Sequence, residues 1–138
     1  MVAELCGLVL ASLLFALAWL PASIAKARAR GRRWLMSNRD SAGAAPLPAW
    51  GERAERAHRN LQEHFAAWAA LLLAVMVMGW TGPTTAWAAL LFPLVRAGHM
   101  AAYIGGWFWP RTLFWAVGLG CTFALAIVLL NGLAAGAA

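Results

Sequence analysis

The fold of this chain follows from the stretch Glu52–Trp80, ERAERAHRNLQEHFAAWAALLLAVMVMGW, because its two halves differ in polarity. It is dense in charged and histidine side chains up to His64 and has none from Phe65 onward. The apolar part, residues 65–79, would form only about 22 Å of helix at 1.5 Å per residue. The hydrocarbon core of a bilayer is about 30 Å thick, so a helix through this stretch must carry polar turns into the membrane.

The composition is that of an integral membrane protein. Of the 138 residues, 63% are hydrophobic and nine are tryptophan, which is far outside the usual range for a soluble domain. Each spanning helix takes about 20 apolar residues, so the chain has room for three or four spans. Cys6 and Cys121 lie in separate apolar runs without CxxC spacing, and we expect neither a disulfide framework nor a metal site.

Uncharged runs divide the chain into four predicted helices. Leu5–Ala25 is long enough to cross a bilayer and is not preceded by the basic start of a cleaved signal peptide. The uncharged run 65–95 is too long for one span and is interrupted by TGPTT at 81–85. The last run follows Pro110, a residue favoured at helix starts. We predict an all-α, integral membrane four-helix bundle in a single domain, 1–138, with helices at about 2–25, 50–80, 84–106 and 110–132.

Basic residues set the predicted orientation, because cytoplasmic loops retain lysine and arginine. The turn between the second and third helices is uncharged, whereas the predicted loop 26–49 carries Lys26, Arg28, Arg30, Arg32, Arg33 and Arg39. We expect this loop and the loop that contains Arg111 to face the cytoplasm, at the inner membrane if the protein is bacterial. The net charge of +6 would then lie beside an anionic leaflet, so we expect lipids and no nucleic acid as partners.

Two predicted helices carry polar stripes at the depth of the membrane. Helical spacing of i, i+3, i+4, i+7 and i+8 places five polar residues on one face of the second helix, which we expect to point inward, away from lipid. These residues are Arg56, Arg59, Asn60, Glu63 and His64. On the third helix, Arg96, His99 and Tyr103 repeat the pattern at i, i+3 and i+7. Ionisable groups within spans are costly and are by default hypotheses about a functional site.

The charges of these stripes do not balance. Glu63 is the one acid among them, whereas Arg56, Arg59, Arg96 and the nearby Arg111 bring four positive charges. Such a surplus favours an anionic guest, above all one whose carboxylates arginine can hold bidentately. The alternative is structural: Glu63 neutralises an arginine, and the polar groups hold the helices together.

The same residues carry a family resemblance. ERAHRNLQE at 55–63 resembles the second-helix signature of the MAPEG family, the membrane-associated proteins in eicosanoid and glutathione metabolism. RAGHMAAYIGG at 96–106, followed by PRT at 110–112, is similar to the corresponding region of the prostaglandin E synthase branch of that family. The resemblance implies a homotrimer of four-helix bundles that binds glutathione between adjacent subunits on the cytoplasmic side.

The resemblance also implies roles for individual residues. Arg111 matches the arginine proposed to stabilise the glutathione thiolate, and Thr112 stands where the prostaglandin synthase branch has serine. Either Arg28 or Arg30 would correspond to the family's first-helix arginine, and spacing does not decide between them. His64 stands where some relatives have tyrosine. The residues that would bind glutathione, with those two arginines, are Arg56, Arg59, Asn60, Glu63, His64, Arg96, His99 and Tyr103.

Three classes of function follow from these residues and the resemblance. The first is a glutathione transferase or peroxidase that acts on a small lipophilic electrophile or a lipid hydroperoxide. The second is a glutathione-dependent isomerase of the prostaglandin E synthase type. The third is a non-catalytic member of the family that binds lipid or regulates partners. A small transporter is disfavoured, because the charges gather in one half of the membrane and leave no polar path through the other.

Overall fold

The computed structural model describes residues 1–39 and 44–136, and within these ranges the protein is all α-helical. Its helices are α1 (Val2–Leu17), α2 (Leu20–Arg30), α3 (Arg32–Leu35), α4 (Ala49–Val77), α5 (Pro83–Gly105) and α6 (Phe108–Gly136). Four segments are long and apolar enough to cross a membrane, namely Val2–Arg30, Ala49–Val77, Pro83–Gly105 and Phe108–Gly136. The predicted membrane four-helix bundle is confirmed.

The first predicted helix, 2–25, is in fact two helices. α1 ends at Leu17, and α2 begins at Leu20 with Pro21 in its first turn. Proline lacks an amide hydrogen and its ring clashes with the carbonyl four residues earlier, here that of Leu17, so the helix breaks there. α2 then continues to Arg30, so Lys26, Arg28 and Arg30 lie on a helix. The prediction of a loop over 26–49 is therefore wrong for residues 26–30. Residues 40–43 of the predicted loop lie outside the described residues.

Short connections hold α4, α5 and α6 antiparallel to their neighbours. In the turn after α4, the amide of Gly82 donates to Thr85 Oγ1 at 2.8 Å and so caps the start of α5. Gly106, with φ 81°, ends α5 in the left-handed conformation that glycine adopts without strain. Because α6 begins only two residues later, the corner between α5 and α6 is tight.

α5 is the central helix of the bundle and packs against α1, α4 and α6. Its contact with α4 includes Trp68 and Phe92, whose fully buried rings stack with centroids 4.2 Å apart. Its contact with α1 is so close that a Cβ atom added at Gly7 would overlap the carbonyl group of Ala89. Aromatic stacking and close backbone approach therefore fix α5 on two sides.

A buried carboxylate joins α1 to the start of α5. Glu4 is only 1% exposed, and Thr85 Oγ1 donates to its Oε1 at 2.6 Å. This contact lies at the end of α5 away from Arg111. The hydrogen bond between Thr85 and Glu4 was not predicted from the sequence, because the two residues are 81 positions apart along the chain.

Candidate functional site

The corner between α5 and α6 positions Arg111. Its guanidinium carbon lies 4.9 Å from the ring centroid of Tyr103 and 5.4 Å from that of Phe108. Among the described residues, no carboxylate pairs with Arg111 within 4.0 Å, since the ion pairs there join Glu4 to the N-terminal amine, Glu55 to Lys26 and Glu52 to Arg56. Aromatic faces attract a guanidinium but bring no opposite charge, so Arg111 has no counter-ion at this corner.

Arg111 opens onto a cavity of about 260 Å³ where α4, α5 and α6 meet. The residues that line it are Asn60, His99, Tyr103, Arg111, Thr112 and Trp115. Four of the predicted binding or catalytic residues, one from α4, two from α5 and one from α6, are thus brought together. The Thr112 hydroxyl donates to the Phe108 carbonyl at 3.1 Å, and its oxygen can still accept a hydrogen bond from a ligand.

The ring of His99 is fixed by the backbone of α6. Its Nδ1 lies 3.0 Å from the Arg111 carbonyl oxygen. A carbonyl can only accept, so Nδ1 is the nitrogen that carries the proton, and Nε2 of the neutral ring is an acceptor. Nε2 is buried and has no hydrogen-bond partner among the residues that the structure describes. His99 therefore links the polar stripe of α5 to the helix that carries Arg111.

Arg96 lies behind this cavity and does not line it. It is 0% exposed, and its Nη2 donates to Asn60 Oδ1 at 2.7 Å. Within the described ranges, its Nε and Nη1 have no partner. Gly118 on α6 leaves room for it, since an added Cβ there would lie 3.2 Å from Arg96 Cδ. In the polar stripe of α5, His99 and Tyr103 therefore line the cavity, whereas Arg96 only contacts a residue that lines it.

The α4 stripe does not face the interior of this chain as a whole. Arg56, Arg59 and Glu63 are exposed, and the side of α4 that is buried carries Ala57 and Leu61 instead. The expectation of an inward stripe is wrong for the single chain. At 100° per residue, the middle of the polar stripe lies about 110° around the helix from Ala57 and Leu61, so burial of their side leaves most of the stripe at the surface.

Arg59 faces a second cavity on the other side of α4. This cavity of about 490 Å³ lies between α2 and α4, where Lys26 Nζ pairs with Glu55 Oε1 at 2.6 Å. Its lining residues are Trp19, Ala22, Ser23, Lys26, Arg39, Glu55, His58, Arg59 and Gln62. Within one chain, Arg59 and Arg111 therefore line different cavities.

The two candidate first-helix arginines also lie outside the cavity at Arg111. Arg30 Nε donates to the Ala45 carbonyl at 2.9 Å, and its guanidinium carbon lies 4.5 Å from the Trp34 ring centroid. Arg28 is exposed on α2. Arg30 is thus held to the segment before α4, whereas Arg28 is free to meet another molecule.

His64 contacts a residue that sequence analysis did not select. Trp115 Nε1 donates to His64 Nε2 at 3.0 Å, and the two rings are perpendicular, with an interplanar angle of 89°. Trp115 lines the cavity, whereas His64 supports Trp115. A signal for Trp115 was present in the sequence, because it follows Arg111 by four residues and so shares its face of α6.

The sequence comparison agrees with the motifs. The sequence model of the MAPEG family matches residues 5–131, which is almost the whole chain. A comparison with curated proteins gives no match. Within residues 1–39 and 44–136, no group of three histidine, cysteine, aspartate or glutamate side chains is placed to hold a metal ion.

Proposed function

Because the chain belongs to the MAPEG family, we propose that it binds glutathione and activates the thiol for attack on lipophilic electrophiles or lipid hydroperoxides. The observation that carries this proposal is the position of Arg111. Its guanidinium has no carboxylate partner among the described residues and opens onto a cavity formed by three helices. In a membrane span, such a charge is retained at a cost that a functional role explains.

The chemistry requires a thiolate. An ordinary thiol has a pKa of about 8.5, so most glutathione is protonated at neutral pH. A guanidinium close to the sulfur in a water-poor site favours the anion, and the thiol proton passes to water. The sulfur electron pair then forms a bond to the electrophilic carbon, and the leaving group departs with its own bonding pair. In this scheme Arg111 acts through its charge and never gives up a proton.

The same thiolate can reduce a hydroperoxide. It attacks one oxygen of the O–O bond, and the other oxygen leaves as an alcohol after taking up a proton. The sulfenic acid formed on glutathione then reacts with a second glutathione to give the disulfide and water. Two thiols are oxidised for each hydroperoxide reduced, so this activity needs no other reductant.

The exposed face of α4 supports binding between subunits. Glutathione carries two carboxylates and one ammonium, which match the arginines and the single carboxylate of the stripe. Arg56, Arg59 and Glu63 are exposed in one chain, yet the apolar part of α4 is too short to keep them all outside the membrane. A charged face in a bilayer has to be covered, and we infer that neighbouring copies cover it in a homotrimer. The site would then face the cytoplasm, with the basic residues of α2 and α3.

A second candidate is a glutathione-dependent isomerase of the prostaglandin E synthase type. The motif that runs from Arg96 to Gly106 favours it, because it resembles that branch of the family. Both activities use the same thiolate and differ in whether glutathione leaves the product. A non-catalytic role is disfavoured, because Arg111 and the arginines of α4 are all present.

Calorimetry and turnover test this proposal together. The purified protein in detergent is titrated with glutathione and with S-hexylglutathione, and is then assayed with an aryl chloride, an alkenal and a lipid hydroperoxide. We expect saturable binding of both peptides and turnover of at least one substrate. Binding of S-hexylglutathione without any turnover would favour the non-catalytic role, and a lack of binding would refute the proposal.

A further inference from the structure

Trp115 has two different environments at once. Its indole N–H points to His64 on α4, at 3.0 Å. Its ring lines the cavity at Arg111, yet 37% of the residue is exposed on the outside of the chain. The indole thus forms a wall between the polar cavity and the outer surface of the chain.

His64 holds this wall in one orientation. An indole N–H can only donate, so Nε2 of His64 must accept and cannot carry a proton in this contact. The perpendicular arrangement of the rings, with centroids 5.9 Å apart, adds an edge-to-face contact. One hydrogen bond and one ring contact therefore act on the same side chain, and both come from a helix other than its own.

The position of the Trp115 ring relative to Arg111 indicates a role in binding the second substrate. α6 runs from the corner at Arg111 into the membrane, and Trp115 is four residues further, or about 6 Å along the axis. Thr112 lines the cavity beside both residues. A sulfur atom held at Arg111 would thus have the indole ring of Trp115 as the next wall of the same cavity, where a second substrate could lie beside the sulfur.

We propose that Trp115, held by His64, is the surface on which flat aromatic electrophiles bind beside the thiolate. This inference rests on the proposed function, because it assigns the second substrate of the same site. A rigid indole face favours stacking with a planar ring over contact with a flexible chain. Trp115 contacts the substrate, and His64 is a positioning residue that acts through Trp115.

The test compares a flat substrate with a linear one at saturating glutathione. Trp115→Leu, Trp115→Phe and wild type are assayed with 1-chloro-2,4-dinitrobenzene and with trans-2-nonenal. We expect Trp115→Leu to raise the KM for the aryl chloride about two- to thirteenfold, the range that corresponds to a lost aromatic pair. The KM for the alkenal should change less than twofold. Trp115→Phe should keep a KM for the aryl chloride close to wild type.

Variants of His64 test the positioning role. His64→Leu removes the acceptor of the indole hydrogen bond and, at saturating glutathione, should raise the KM for the aryl chloride more than the KM for the alkenal. His64→Gln keeps an acceptor oxygen for the indole and should restore most of the wild-type KM. Trp109→Leu is the matched control, because this tryptophan is 78% exposed near the start of α6 and does not line the cavity at Arg111.

The outcomes separate this inference from the proposed function. Equal changes in KM for the two substrates, or equal effects of His64→Leu and His64→Gln, would overturn the assignment of Trp115 and His64 while the transferase remains. Wild-type protein that binds no glutathione would overturn the proposed function and this inference with it. A thermal midpoint in detergent close to that of wild type in every variant shows that the bundle is still folded.

Discussion

Arg96 donates a hydrogen bond to Asn60, and the chemistry of the two side chains alone identifies arginine as the donor. Arg96 Nη2 lies 2.7 Å from Asn60 Oδ1, and Arg96 is 0% exposed. Arginine has no acceptor, so the side-chain oxygen of Asn60 must face it. The amide NH2 group of Asn60, a residue of the cavity wall, is then left to donate to a ligand. Arg96 thereby sets the orientation of Asn60.

Asn60→Asp tests this orientation without a change of shape. Aspartate keeps the acceptor for Arg96 and pairs with its buried charge, but it has no NH2 group and places a negative charge beside the carboxylates of glutathione. We expect the Kd for glutathione to weaken by at least about tenfold, a loss of about 1.5–3 kcal/mol. The thermal midpoint in detergent should be unchanged or higher. Wild-type affinity in calorimetry would show that the amide does not donate to glutathione.

The exposed face of α4 gives a second prediction. Glu63→Gln removes a carboxylate that can accept a hydrogen bond from the glutathione ammonium. Arg56→Ala removes a guanidinium that can hold a glutathione carboxylate with two hydrogen bonds. Each should weaken glutathione binding in calorimetry by about 1.5–3 kcal/mol if the contacts are charge-assisted. Arg33→Ala, in the exposed short helix α3, is the matched control for charge. If neither variant changes the affinity more than this control, the α4 face has a structural role.

Gly7 tests the close packing of α1 on α5. A Cβ atom at this position would overlap the Ala89 carbonyl group, so Gly7→Ala should force the helices apart and destabilise the protein by about 1–3 kcal/mol. Gly120→Ala on α6 meets nothing within 4 Å and should be neutral or slightly stabilising, because alanine favours helix. Thermal unfolding in detergent compares the two. Equal midpoints would mean that α1 and α5 are not packed this closely in the membrane.

Assembly into a trimer is a further prediction. Among the described residues, Arg59 and Glu63 form no ion pair and Arg56 meets only Glu52, at 3.7 Å, and the side chains of Arg56, Arg59 and Glu63 are exposed. Native mass spectrometry from a mild detergent should therefore give the mass of three chains, and it should do so with and without glutathione. A stable monomer as the main species would leave the α4 charges in contact with lipid and would remove the basis for a site between subunits.

The sequence predicted the four membrane spans, and four of the residues it selected for the site share one cavity. Long uncharged runs gave the spans, and helical spacing brought Asn60, His99, Tyr103 and Arg111 to one level of the bundle, where they line one cavity. The break before Pro21 was not predicted, since one helix was expected over 2–25, although proline excludes a hydrogen bond that a continuous helix needs.

The sequence could not predict which neighbouring helix each helix face packs against. Spacing placed Arg59 on a face with Asn60, but packing turned Arg59 to the cavity beside α2 and Asn60 to the cavity beside α6. The contact between His64 and Trp115 joins residues 51 positions apart, and only the arrangement of α4 and α6 brings them together. Helical spacing identifies which residues share a face of a helix, but it does not identify the helix against which that face packs.

The measurement that tests this account most directly is the ultraviolet absorbance of the glutathione thiolate in the bound state. With wild-type protein, the thiolate signal should appear at pH values where free glutathione is still protonated, because the Arg111 guanidinium stabilises the anion. Arg111→Ala should lose both this signal and the conjugation of 1-chloro-2,4-dinitrobenzene while it keeps much of the binding supplied by α4. Arg111→Lys should retain part of both, since it keeps a charge without the planar fork. A thiolate signal and a conjugation rate equal to wild type in Arg111→Ala would contradict the account.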